Sequence, residues 1–333
     1  MRILVTGGAG YIGSVVAQEL LSADHTVILF DNLSHGHRRA VPPGALLVVG
    51  DLADRAAVEA LLEQHAIEAV IHLAALSIVP ESLAEPARYF RANVVNTLNL
   101  LDAMLRVGVK RFVFSSSAAV YGEPSASPIG EGAPTQPTNP YGESKLAVER
   151  MLPWLGAAHG LCSCSLRYFN AAGASDSLGE DHEPETHLIP LVMQTALGRR
   201  TQVEIFGDDY ATPDGTCIRD YIHVSDLAQA HILALEHLAP GCRIYNLGNG
   251  DGFSVREVVD AARQVTGRPI PAVVRPRRLG DPPVLVAHSD QARAELGWAP
   301  RYPDLRDIIA TAWQWHLRHP QGYGDRAGSL SPS

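Results

Sequence analysis

Tyr141 and Lys145 stand four residues apart, a spacing that puts both side chains on one face if the segment is helical. The chain of 333 residues holds ten Tyr but only two Lys, Lys110 and Lys145. A Tyr-x-x-x-Lys pair therefore arises by chance about 0.06 times in such a chain. The chemistry that wants this pair is removal of a hydroxyl proton. A free phenol titrates near pH ~10, and an adjacent cation lets it ionise closer to neutrality. Three consecutive hydroxyls, Ser115, Ser116 and Ser117, end an apolar run, and Ser117 is the candidate third member beside the base.

A second constellation lies at the start of the chain. Gly7, Gly10 and Gly13 form Gly-x-x-Gly-x-x-Gly directly after the run Arg2 to Thr6 and at the opening of a helical pattern. A turn that tight lets backbone N–H groups and a helix N-terminus meet a pyrophosphate. Asp31 closes the second apolar run, 18 positions beyond Gly13. A carboxylate there bonds ribose hydroxyls and repels a 2′-phosphate, so the expected cofactor is NAD rather than NADP. Asp51 and Leu52 are expected to flank the adenine.

These residues need a frame. The first half alternates short β-branched runs with longer amphipathic stretches, the pattern of βαβ units around a parallel sheet. Strands are read at Arg2 to Thr6, Thr26 to Phe30, Leu46 to Val49, Ala69 to Leu73, Arg111 to Ser115 and Cys162 to Tyr168. Helices are read at Tyr11 to Ser22, Asp54 to His65, Ala87 to Val107 and Pro140 to Ala158. Asn139 is the candidate N-cap of the last, Pro140 suits its first turn and Gly160 stops it. The fold class is thus α/β, a doubly wound parallel sheet of Rossmann type with ligands at the carboxyl ends of its strands, plus a smaller C-terminal substrate-binding domain.

The expected division is 1–172 for NAD and 173–321 mainly for substrate, some segments returning to the first body. A tail at 322–333, without hydrophobic pattern, is expected to be disordered. Beyond residue 170 a helix is read at Val224 to His237, a strand around Ile244 to Leu247 and a helix at Ser254 to Thr266. Long loops at Gly173 to Glu185 and Gly207 to Gly215 are expected to carry substrate contacts.

Composition excludes other classes. With 46% hydrophobic and 19% charged residues the chain is neither disordered nor low in complexity. A net charge of −9 without any run of Lys or Arg argues against nucleic acid or an anionic membrane as partner. The four Cys lack paired short spacings and the 14 His include no His-x-x-x-His on an evident helix, so no metal is expected. No apolar run approaches the ~20 residues of a membrane span, and the first residues read as a strand rather than a signal peptide. The expectation is a reducing cytoplasm with all four Cys free.

Longer motifs carry a resemblance. TGGAGYIGS at Thr6 to Ser14, HLAAL at His72 to Leu76, FSSSAAVYG at Phe114 to Gly122, NPYGESK at Asn139 to Lys145 and LRYFNAAG at Leu166 to Gly173 belong to it. So do Ile205 to Ala228 and RRLGD at Arg277 to Asp281. Over Met1 to about Trp315 the chain resembles the extended short-chain dehydrogenase/reductase family, and within it the UDP-glucose 4-epimerases. The resemblance implies NAD-dependent 4-epimerisation of a UDP-hexose through a transient 4-keto sugar, with Ser117, Tyr141 and Lys145 as catalytic residues.

By the same resemblance Tyr11, Ile12, Asp31, Asn32, Leu33, Ser34, His35, Gly36, Asp51, Leu52, Leu73, Ala74, Ala75, Ser77, Asn93, Tyr141, Lys145 and Phe169 line NAD with the three glycines. Ser117 and Tyr141 meet the sugar. Asn170, His187, Leu188, Glu204, Ile205, Phe206, Arg219, Arg278 and Asp281 hold the UDP part; a diphosphate needs fixed cationic donors, and Arg offers a planar fork. Ser77 stands where the pattern has Lys, and His187 where Asn is common. Leu285 stands at the wall facing the sugar's 2-substituent, where a smaller side chain than Tyr leaves room for N-acetylated sugars.

The resemblance also implies a homodimer through the helices at Ala87 to Val107 and Pro140 to Ala158, with Val94, Leu98, Leu105, Leu152 and Leu155 as candidate contacts. Two rivals share the fold. A nucleotide-sugar dehydratase or decarboxylase needs an acidic residue shortly after the serines, where this chain has Ala118 and Ala119. A non-catalytic NAD sensor has no use for Ser117, Tyr141 and Lys145 together.

Overall fold

The computed structural model describes residues 1–278 and 280–325. Strands β1 (Arg2–Thr6), β2 (Thr26–Asp31), β3 (Leu46–Val49), β4 (Ala69–His72), β5 (Arg111–Ser117) and β6 (Cys162–Tyr168) fill the first half. The short strands β7 (Asn170–Ala172), β8 (Val203–Phe206) and β9 (Ile218–His223) follow. The last four are β10 (Gly241–Leu247), β11 (Gly252–Ser254), β12 (Ala272–Arg275) and β13 (Val284–Leu285). A seven-stranded sheet runs β10-β6-β5-β4-β1-β2-β3, every neighbouring pair parallel. Order reverses between β1 and β4, where Thr6 pairs with His72, and this is where a doubly wound sheet opens its crevice.

Alternation along the strands explains the two covered faces. Ile3, Val5, Ile71 and Val113 enter one apolar cluster, with α1 (Tyr11–Ser22) on that face. Leu4, Val70, Phe112 and Phe114 enter the opposite cluster with α2 (Arg55–Gln64). The short helices α3 (Val79–Ala84) and α4 (Pro86–Phe90) lead through a π turn at Arg91–Val95 into α5 (Asn96–Arg106). The long α6 (Pro140–His159) then buries Val148 and Leu152 on the same face as α2 and α5.

In the second half, α7 (Leu188–Ala196) is followed by α8 (Val224–Glu236), which packs beside α1. Then come α9 (Val255–Thr266), α10 (Asp290–Leu296) and α11 (Leu305–Arg318). Met193, Val258 and Ile308, from α7, α9 and α11, share a third apolar cluster.

Several expectations shift. Six strands become seven, because Gly241–Leu247 pairs along all of β6. β5 runs on to Ser117, so the hydroxyls sit within the strand end. The helix expected at Ala87 to Val107 is interrupted by the π turn, within which Asn93 bonds the backbone of Leu76 in both directions. Helices α3, α7, α10 and α11 were not anticipated.

Residues 322–325, expected to belong to the tail, are instead packed on the body. Tyr323 is buried against Trp315 and His37, and Asp325 pairs with His37 at 2.7 Å. The rest of that segment, 326–333, lies outside the described residues.

Candidate functional site

One cleft of about 1100 Å³ runs across the carboxyl ends of the parallel strands. Its glycine end is built by close approach. Gly7 holds φ +69, and a Cβ on it would stand 2.6 Å from the Ala74 nitrogen. On Gly13 a Cβ would stand 2.1 Å from the Gly7 carbonyl oxygen, so strand and helix meet backbone to backbone. Gly10 is the N-cap of α1 with no side chain covering the helix N-terminus, which leaves its N–H groups facing an anion. Asp31 is buried and accepts from Ala9 N at 3.0 Å and Leu33 N at 2.8 Å. Burial raises its carboxyl above the usual value against those two bonds. Asn32 donates to Asp51 at 2.8 Å, closing the rim. A glycine cradle, a free helix N-terminus and a fixed acidic residue fit a dinucleotide.

The catalytic end is set by α6. Asn139 caps it, its side chain accepting from Gly142 N at 2.9 Å, and Pro140 pre-sets the first turn. A Cβ on Gly142 would stand 2.4 Å from the Ala119 carbonyl oxygen, so this glycine lets the helix start press on the turn after β5. That approach sets Tyr141 in hydrogen-bonding reach of Ser117. Burial raises the Tyr141 phenol above its usual value, and the Ser117 bond opposes the rise.

Lys145 is buried, its Nζ 2.8 Å from the Ser115 carbonyl oxygen and 5.9 Å from the centre of the Tyr141 ring. Burial lowers its ammonium to about 7, with Glu149 opposing. Lys145 thus bonds the end of β5 while its ammonium stands beside the Tyr141 ring.

Beneath the serines lies a network that sequence reading missed. Arg167 and Glu149 form a buried ion pair, Ser116 donates to Glu149 at 2.5 Å, and Arg167 also reaches the Tyr121 hydroxyl at 2.9 Å. His72, between Thr6 and Thr97 at 2.6 and 2.8 Å, is held neutral by burial, its pKa lowered to about 3.

Nearly all residues implied for cofactor and substrate line the cleft. Leu33, Asn93 and Ile205 are not among its lining residues. Leu33 turns with φ +60 beside Asp31. Asn93 is buried, its amide spent on Leu76 and Ser144, so it holds the Leu73–Ser77 loop rather than facing a ligand. Ile205 takes the buried side of β8 between Glu204 and Phe206.

Arg219 lines the opposite wall paired with Asp281, and Arg278 lies over the Phe206 ring at 3.8 Å. Leu285 lines the cleft and also packs against the cluster of Ala118 and Phe169. Of the two long loops, 173–185 contributes Glu180, His182 and Glu185 to the wall. The other, 207–215, contributes nothing, closing on itself through Tyr210 and Gly215. His187 stands at the cleft; burial works against its charge, but Glu180 and Glu185 raise its pKa well above the ordinary value.

A glycine cradle at the switch point of a parallel sheet, facing Tyr141, Ser117 and a buried Lys145, defines a dinucleotide-dependent enzyme acting on a hydroxyl-bearing carbon. The chain belongs to the NAD dependent epimerase/dehydratase family, whose profile matches residues 3–248. It is 52% identical over 330 residues to the UDP-glucose 4-epimerase of Lacticaseibacillus casei, covering 98% of this chain and 100% of that one. The UDP-glucose 4-epimerase of Brucella ovis, solved in complex with NAD, superposes with a TM-score of 0.91 at 50% identity, covering 94% and 97% of the two chains. That of Bifidobacterium longum, solved with NAD+ and UDP, gives 0.93 at 40% identity, covering 97% and 100%.

Proposed function

We propose that the protein interconverts UDP-glucose and UDP-galactose by inverting carbon 4, as an isomerase with NAD as resident cofactor. The observation that carries this reading is one continuous cleft that runs from the glycine cradle to Ser117, Tyr141 and Lys145. When bound, NAD supplies a hydride acceptor for carbon 4 and a positive ring charge beside the phenol.

Tyr141 takes the proton of the sugar 4-hydroxyl and later returns one. Ser117 holds the 4-oxygen and links it to the phenol. Lys145 fixes the strand end through Ser115 and holds the ribose side of the cofactor. Arg219 and Arg278 grip the diphosphate end while small hydroxyls hold the hexose loosely, which lets the oxidised sugar present its other face without leaving. Ala118 and Ala119 supply no carboxylate beside the serines, which disfavours dehydration or decarboxylation. Leu285, at the wall, supports acceptance of UDP-N-acetylglucosamine as well, with partial discrimination.

Residues 1–172 mainly serve the cofactor and 173–321 mainly the UDP-sugar. A homodimer is supported by exposed Leu83, Phe90, Val95, Leu98 and Trp154 on the α3–α6 side. Of the contacts first expected there, Leu152 is buried, Leu105 and Leu155 pack against the core and Val94 is half-buried, leaving Leu98 as the exposed one. No helix among the described residues is long and apolar enough to cross a membrane, and all four Cys are free. A cytoplasmic place in galactose metabolism fits this reading.

Incubation with UDP-galactose and no added cofactor should yield UDP-glucose, and the denatured protein should release NAD. An oxidised sugar formed with stoichiometric reduction of added NAD, in place of UDP-glucose, would mean a dehydrogenase instead.

A further inference from the structure

The loop between β7 and α7 carries Glu180, His182, Glu185 and His187, a Glu-x-His-x-x-Glu-x-His spacing on irregular backbone. It curls so that one donor atom from each side chain lies within 4.8 Å of all the others. Nδ1 of His187 is 2.8 Å from Glu180 Oε1 and 3.0 Å from Glu185 Oε1. His182 approaches from the other side, its Nδ1 3.1 Å from the same Glu180 oxygen and 3.8 Å from Glu185 Oε2. The carboxylates are nearly sealed, with side-chain exposures of 7% and 5%. Tyr11 covers His182 edge-on at 6.4 Å.

Two carboxylates so close and so buried need positive charge between them. Without a cation the set depends on hydrogens on both Nδ1 atoms, which face the Glu180 and Glu185 carboxylates. A single cation replaces both protons. Donors around a tetrahedral ion at ~2.1 Å stand about 3.4 Å apart, and the four imidazole–carboxylate distances, 2.8 to 3.8 Å, bracket that spacing. Two imidazoles with two carboxylates suit a borderline transition metal, whereas magnesium and calcium favour all-oxygen sites of higher coordination.

We propose that Glu180, His182, Glu185 and His187 form a closed four-ligand site for a divalent transition metal, zinc in first place. Four protein ligands leave no position for an activated water, so the ion staples the cleft wall and does no chemistry. A metal on Nδ1 also leaves the remaining proton of His187 on Nε2, a fixed donor for a phosphate oxygen. That consequence rests on the UDP-sugar reading; occupancy of the site does not.

The test uses untagged full-length protein with its cofactor retained, stripped with a chelator, reloaded with Zn2+ and dialysed against metal-free buffer. Elemental analysis should find one zinc per chain, and Co2+ in its place should give the strong visible absorption of four-coordinate cobalt. His182→Gln and, separately, Glu185→Gln should each lose the stoichiometric metal and that absorption. Loss of a ligand should weaken binding at least as much as loss of a ligand's hydrogen-bonding partner, about 10- to 100-fold. Both variants are checked for wild-type circular dichroism and NAD content, which ties any metal loss to the ligand. Complete removal of zinc from wild type by dialysis, or full retention in both variants, overturns the proposal. The weak absorption of six-coordinate cobalt would overturn the closed geometry.

Discussion

Glu149→Gln removes the charge that faces Arg167 in a pocket where both side chains are almost fully buried. Among the described residues, the other partners of Arg167 are the Tyr121 hydroxyl and the Glu131 carbonyl, neither of them an anion. Stranding one member of a buried pair costs about 3–5 kcal/mol, because the remaining charge keeps its desolvation penalty and loses its partner. In a chain of this size each kcal/mol moves the melting temperature by roughly 2–4 °C, so a fall on the order of 10 °C is expected. The site should feel it too. Gln keeps one oxygen for Ser116 but sets an amide N–H against the Arg167 guanidinium, and Lys145 loses the Glu149 attraction that opposes the lowering of its pKa. Thermal unfolding at equal NAD occupancy measures the first effect, and the alkaline limb of the activity profile the second. Glu149→Leu with Arg167→Met should recover most of the stability, since replacing both charges leaves neither stranded. A fall under about 2 °C for Glu149→Gln would refute the reasoning.

Gly142→Ala places a methyl 2.4 Å from the Ala119 carbonyl oxygen, so the start of α6 must back away from Ser117. kcat should drop by about 10²-fold with NAD retained, and an unchanged kcat would separate the catalytic pair from this contact. Lys145 has its pKa lowered to about 7 in the fold, so between pH ~7 and ~10.5 the unfolded chain binds more protons and stability rises with pH, by up to ~1.4 kcal/mol per unit. Urea midpoints of the cofactor-free protein from pH 7 to 9 should show this slope and Lys145→Met should abolish it; equal slopes would count against the burial effect. Leu285→Tyr should lower kcat/KM for UDP-N-acetylglucosamine relative to UDP-glucose by about 10-fold or more, and an unchanged ratio would remove Leu285 from the sugar wall.

Much of the sheet was legible because its strands are short apolar runs closed by turn residues. β1, β3, β6 and α1 fall where hydrophobic period and glycine punctuation put them. Asn139, Pro140 and Gly160 mark the ends of α6, the last in the left-handed conformation that glycine favours. Reading failed where tertiary contacts decide. The π turn at Arg91–Val95 has no periodic signature, and Asn93 finds its partner Leu76 only in three dimensions. β7, β9 and β13 are two to six residues long and are strands only because they find each other.

The candidate site split along the same line. Tyr141 and Lys145 announce themselves by spacing, whereas Glu149 and Arg167 lie 18 positions apart and carry no motif. Glu180, His182, Glu185 and His187 carry no helical ligand spacing, because the loop backbone and not a helix brings them together.

The most direct test of the central claim follows the hydrogen on carbon 4. Wild-type protein is given UDP-galactose carrying deuterium at carbon 4, in ordinary water and without added cofactor, and the product is read by mass spectrometry. UDP-glucose that keeps the deuterium, formed at a rate that Tyr141→Phe lowers by about 10² to 10⁴ without loss of NAD, is the predicted result. Deuterium washed out to solvent, or a Tyr141→Phe enzyme of near wild-type rate, would contradict transient oxidation at carbon 4 with Tyr141 as its base.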